Sequence, residues 1–177
     1  SMPNIPELTE KPKLRGVLHQ YGFFVALLLN AFLLSQTETR QELHAILLYA
    51  VGLNALLGTS ALYHRIHWSP KWRPIMRRLD HTMIFVLIAG SYTPICTLVL
   101  EGERGDFILQ LVWGSVVLGA LLKLVWNHAP KWLMSSLYVA VGWIAGFTLP
   151  ELYEGVGGAF VALLLFGGLL YTIGAVV

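Results

Sequence analysis

The sequence predicts an all-α fold, a polytopic transmembrane helical bundle of six spans, and three observations predict it. Of 177 residues, 56% are hydrophobic and only 12% are charged, about half the charged share of an ordinary soluble domain. The apolar residues gather into runs of roughly 17 to 25, the length a helix needs to cross a hydrocarbon core about 30 Å thick. Short polar segments with proline, glycine and nearly all of the charge separate these runs. Such a composition excludes a disordered chain, a soluble nucleic-acid binder and a disulfide scaffold. Cys96 is the single cysteine, which leaves neither an intrachain disulfide nor a cysteine zinc knuckle.

Taken in order, residues 1–16 form a short amino-terminal segment of one domain covering 1–177. Pro3, Pro6 and Pro12 interrupt it, no cleavable signal follows, and Ser1 ahead of Met2 reads as a cloning scar. The spans are 17–34, 45–63, 82–100, 107–126, 132–149 and 155–177. The fourth holds one charge, Lys123, near its end, where the long stem carries the ammonium to the interface. The separators 35–44, 64–81, 101–106, 127–131 and 150–154 are short, so successive helices run antiparallel. The last span stays apolar to Val177 without a basic or aromatic anchor, and reads as a chain cut before its exit.

Orientation follows from the basic residues, which are retained on the cytoplasmic side. Lys11, Lys13, Arg15, Arg65, Lys71, Arg73, Arg77, Arg78, Lys123 and Lys131 all fall at one end of the bundle, ten of the twelve in the chain. Arg40 and Arg104 fall at the other, among Glu38, Glu42, Glu101, Glu103, Asp106, Glu151 and Glu154. The amino terminus is therefore expected on the cytoplasmic side.

Five of the six histidines, His19, His64, His67, His81 and His128, map to that same side. Ser60 and His64 are four apart, so on a helix they share one face about 6 Å apart along the axis. The chain returns to the membrane at Asp80, and a hairpin places it at the depth of His64. A carboxylate there is costly unless paired or metal-bound. One reading is a metal site: His64 ligates zinc, Asp80 orients a ligand or water as a catalytic group, and Ser60 supplies a hydroxyl or steadies an oxyanion. The other is structural, with His64 at the interface and Asp80 as an N-cap or a salt-bridge partner of Arg77 or Arg78.

Trp68, Trp72, Lys71 and Arg73 read as an interfacial anchor for headgroups rather than a nucleic-acid patch. Gly142-x-x-x-Gly146 marks a dimer face or packing within the bundle. Pro94, after Gly90-Ser91-Tyr92-Thr93, bends the third span while hydroxyls compensate the freed carbonyls. His19 and His128 read as solvated loop ends or as titrating sensors.

Several dispersed segments, in order, carry a family pattern. Ser60-Ala-Leu-Tyr-His64, Leu79-Asp80-His81 and Ile88-Ala-Gly-Ser-Tyr-Thr-Pro94 resemble the hemolysin III family, the bacterial branch of the progestin and adipoQ receptor group. Lys131-Trp132-Leu133 through Tyr138 with Gly142-Trp143, and Leu18-His19 with Gly22, extend the resemblance over residues 14–177. It implies a seven-helix protein of the bacterial inner membrane, related to alkaline ceramidases. Its signature joins Ser-x-x-x-His on span two, Asp at the start of span three and His-x-x-x-His on span seven, with three histidines holding zinc. Ser60, His64 and Asp80 match. The chain ends with its sixth span, so His-x-x-x-His has no counterpart, and His81 and His67 are the nearby substitutes.

Three functions compete. The first is a zinc-dependent membrane hydrolase of a lipid amide, with Asp80 as proton acceptor and Ser60 as polar stabiliser. The second is a receptor-like or regulatory bundle acting on membrane lipid composition, with a structural metal. The third is the cytolytic or pore activity in the family's name, which spans without a repeated polar stripe do not favour. Membrane lipids are the expected partners, and the sequence names no oligomeric state.

Overall fold

A computed structural model describes residues 13–126 and 128–159, together with 161, 162, 165, 166 and 169, and every regular element among them is helical. The order is α1 (Lys13–Ser35), α2 (Arg40–Arg65), α3 (Arg73–Pro94) continued by a π turn (Ile95–Val99), α4 (Glu103–Val125), α5 (Lys131–Gly142), a 3-10 segment (Ile144–Thr148) and α6 (Leu149–Val156). Five stretches are long and apolar enough to cross a membrane: Leu14–Ser35, Arg40–Arg65, Arg73–Val99, Glu103–Val125 and Lys131–Val156. Most of the expected sixth span, 155–177, and residues 1–12 of the amino-terminal segment lie outside the described residues.

The helices run past the limits set by hydropathy, because backbone bonding continues until a cap stops it. The separator 35–44 shrinks to four residues, since Thr39 and Glu42 form a reciprocal capping box that starts α2 at Arg40. Likewise α2 continues to Arg65 and α3 begins at Arg73 with Pro74 in its first turn. Asp80 thus lies two turns inside α3, and the N-cap reading fails. The separator 150–154 is helical, with Pro150 tolerated in the first turn of α6.

Contacts between neighbours show the antiparallel order. Helix α1 meets α2 at Gly16 with His64, Gly22 with Leu57 and Asn30 with Ala50. Helix α2 meets α3 at Gly52 with Val86 and at Leu48 with Gly90. Helix α3 packs on α4 through Phe85 at Gly119 and Trp113 Nε1, which donates to Thr93 Oγ1 at 3.2 Å. The core lies among α3, α4 and α5, where Phe85, Ala89, Tyr92, Cys96, Val112, Met134 and Tyr138 are buried. In α1, by contrast, Leu18, Phe24, Leu28 and Phe32 are exposed, as expected of a peripheral helix facing lipid.

Two features were not read from the sequence. In mid-span, Asn30 Nδ2 donates to Asn54 Oδ1 at 2.7 Å and Asn54 Nδ2 to the Phe23 carbonyl at 3.1 Å, tying α1 to α2. Such bonds are worth about 0.6–2 kcal/mol each in lipid. The fifth span is also broken at Trp143, so Gly142 and Gly146 do not share an α-helical face, and a Cβ at Gly146 would touch nothing within 4 Å. Tyr92 Oη closes the break by donating toward the Gly142 and Val141 carbonyls at 2.9 and 3.2 Å. At Pro94 the helix widens into the π turn, with Leu100 N–H bonding the Ile95 carbonyl. Thr93 and Thr97 hydroxyls donate to the Ala89 and Thr93 carbonyls at 2.8 and 2.7 Å, and not to the Gly90 carbonyl that Pro94 leaves without its helical N–H.

Candidate functional site

Ser60 and His64 occupy successive turns at the end of α2, and α3 runs back past them. Ser60 is 3% exposed, the His64 side chain 7% and the Asp80 side chain 16%. His64 Nε2 stands 4.0 Å from Asp80 Oδ2, and Ser60 lies near enough to act on the Asp80 carboxyl. The three residues singled out from the sequence therefore meet, at the end of the bundle that carries Arg65, Arg73 and Lys131. Asp80 faces this cluster, whereas Arg77 and Arg78 line a separate cavity.

A fourth member comes from α1. His19 Nδ1 lies 2.6 Å from Ser60 Oγ, so His19 is a half-buried helical residue and not a solvated loop end. In that contact the Ser60 hydroxyl can donate or accept, and the tautomer of the His19 imidazole decides which. A hydrogen bond thus links His19 to Ser60, and Asp80, beside Ser60, faces His64. Arg15, one turn before His19, is close enough for its charge to act on both His19 and Asp80. Gly16 permits the approach of α1: a Cβ there would stand 2.9 Å from His64 Cβ. The Tyr63 ring lies against His64, with centroids 4.8 Å apart at 62°.

The His19–Ser60 bond carries a prediction. Ser60→Ala leaves a half-buried ring nitrogen facing a methyl and is expected to cost roughly 1–3 kcal/mol. In a double-mutant cycle with His19→Ala, measured by thermal unfolding in detergent, a coupling of about 0.5–3 kcal/mol is expected. Strictly additive losses would show that the contact contributes nothing.

The donor chemistry suits a metal only in part. His64 offers an imidazole and Asp80 a carboxylate, both kinds that zinc accepts. Among the described residues no three His, Cys, Asp or Glu side chains form a group that could hold an ion, so these residues alone do not complete a zinc shell. The nearby histidines do not fill the gap. His81, whose Nδ1 is bonded to the Arg77 carbonyl at 2.7 Å, joins no such group among the described residues, and His67 is exposed in the loop after α2.

Fold and site together define a multi-pass helical membrane protein with a buried polar cluster at its basic end. The chain belongs to the haemolysin-III related family, whose model matches residues 8–177. It is 29% identical over 178 residues to the protein named Hemolysin-3 from Bacillus cereus, covering 99% of this chain and 81% of that one. It is 28% identical over 164 residues to the Hemolysin-3 homolog of Bacillus subtilis (strain 168), covering 91% and 76%. No solved structure matches it.

Proposed function

We propose that the protein is a metal-dependent hydrolase of the inner membrane that cleaves a lipid amide, with its basic end in the cytoplasm. The observation that carries this reading is the buried set of Ser60, His64, Asp80 and His19, because a membrane protein retains ionisable groups at such depth for chemistry or for binding. Zinc, held by His64 and by two imidazoles that the family pattern puts on a further span, would supply Lewis acidity toward water and a carbonyl oxygen.

The chain's own residues do the rest. Asp80 accepts a proton as water adds to the amide carbon and returns it to the nitrogen as the C–N bond breaks, leaving a fatty acid and an amine. Ser60 fixes the carboxylate, and His19 fixes Ser60. Polar groups gathered at one end favour a reaction pocket over a pore lining, which would need them along whole spans.

The test uses the full-length protein, with the span that would carry the two further imidazoles, in proteoliposomes supplied with zinc, measuring bound metal and release of fatty acid from a long-chain N-acyl amide. Wild type is expected to bind zinc and turn over. His64→Ala is expected to lose the metal and, with it, turnover by two orders of magnitude or more, in line with the loss of about 10²–10⁴ expected when one catalytic group is removed. A metal-free, inactive wild type overturns the reading. Zinc retained without turnover does so too, and assigns the metal to structure.

A further inference from the structure

The basic end holds a second concavity, separate from the polar cluster. A cavity of about 470 Å³ is bounded by Arg73, Arg77 and Arg78 of α3, by Lys123 and Trp126 at the end of α4, and by Tyr63 of α2. Its size falls in the range of about 300–1,000 Å³ that holds small-molecule ligands. Among the described residues four cations line it and no carboxylate does. Arg77 and Arg78 are near enough for their charges to act on Lys123, so like charges crowd one space. Helix α3 adds to the field. Its first turn, Arg73 and Pro74, borders the cavity, so the positive end of its dipole lies at the rim, although the Arg73 N–H is bonded to the Ser69 carbonyl at 2.9 Å.

We propose that this cavity binds the phosphate headgroup of an anionic phospholipid. Crowded cations without a counter-charge are stabilised by an anion, and a guanidinium fork matches phosphate oxygens in pairs. The membrane is the favoured source because the cavity opens where three membrane-length helices end. Trp126 and Tyr63 are amphipathic residues of the kind that settle at headgroup level. Beside Trp126, Leu121, Leu124 and Val125 are exposed apolar residues, a surface on which acyl chains would lie. Basic pockets between helix ends take anionic headgroups for these reasons.

The experiment measures thermal unfolding of the full chain in mild detergent with added short-chain phosphatidylglycerol, phosphatidylcholine or inorganic phosphate. Phosphatidylglycerol at about 100-fold above its Kd is expected to raise Tm by roughly 5–10 °C, with the other two producing little. Each cation near an anionic headgroup is worth about fivefold in affinity, so Arg78→Gln combined with Lys123→Gln is expected to weaken the apparent Kd by about 25-fold. Arg77→Gln, at an exposed position, is the second variant and should weaken it about fivefold by the same reasoning. Lys71→Gln, which removes a cation that stands 5.6 Å from the Trp72 ring and does not line the cavity, should leave it unchanged. Equal shifts with phosphatidylcholine overturn the proposal, as does an equal loss in Lys71→Gln. A full shift with inorganic phosphate alone overturns the lipid source and leaves a free-anion site.

Discussion

Gly90→Val is expected to lower stability by 3 kcal/mol or more, at or above the roughly 1–3 kcal/mol typical of overpacking. A Cβ at position 90 would stand 2.7 Å from the Leu48 carbonyl oxygen, 3.4 Å from its carbon and 3.5 Å from Tyr49 Cα. All three are backbone atoms of α2, so no side chain can swing aside. The reverse contact is similar, since a Cβ at Gly52 would lie 3.2 Å from the Val86 carbonyl oxygen. Each helix thus sets a bare backbone against the other. Lipid is as apolar as a leucine side chain, so close packing of this kind replaces the hydrophobic drive between helices.

The consequence reaches the polar cluster. Asp80 lies ten residues before Gly90, about 15 Å along α3, and the same pair of helices brings Ser60 and His64 against it. Pushing the helices apart at position 90 should therefore loosen the 4.0 Å approach of His64 to Asp80 as well as lower Tm. Gly114→Ala is the control. A Cβ there meets nothing within 4 Å, and helix propensity favours alanine by about 1 kcal/mol, so it should hold or raise Tm. Similar losses in both variants would show that the α2–α3 interlock is not what holds the bundle.

Much of this arrangement is legible in the sequence. Five of the six apolar runs fall on the five membrane-length helices among the described residues, and the four-residue spacing of Ser60 and His64 puts both on one face. A short basic connection then leaves Asp80 little choice but to return beside them. The limits of legibility are physical. Hydropathy marks where a helix leaves lipid and not where its backbone bonding stops, so α2 and α3 extend through charged residues that the pattern assigned to a loop. His19 was misplaced because its role is set by its partner: a histidine near a helix start looks the same whether it faces water or Ser60, and only the α1–α2 packing at Gly16 decides. The Asn30–Asn54 bond was missed for the same reason, since a single polar residue in an apolar run does not name its partner.

Asp80→Asn should separate chemistry from scaffolding more sharply than any change at His64. The amide keeps the shape of the carboxylate, and its Oδ1 can still accept a hydrogen bond. Packing is therefore preserved, and Tm should move by no more than about 1–2 kcal/mol in stability, the scale of one hydrogen bond. What the variant lacks is a group that can take a proton from water. If Asp80 is the acceptor in amide hydrolysis, turnover should fall by about 10²–10⁴, with substrate affinity little changed because no apolar contact is lost. A purely structural role predicts the opposite ranking, in which Asp80→Asn is mild by every measure and His64→Ala, which removes an imidazole from a closely packed helix contact, dominates the loss of Tm. Measuring kcat, KM and Tm together for both variants distinguishes these outcomes. Turnover in Asp80→Asn within threefold of wild type would end the assignment of Asp80 as the base while leaving the geometry of the cluster intact.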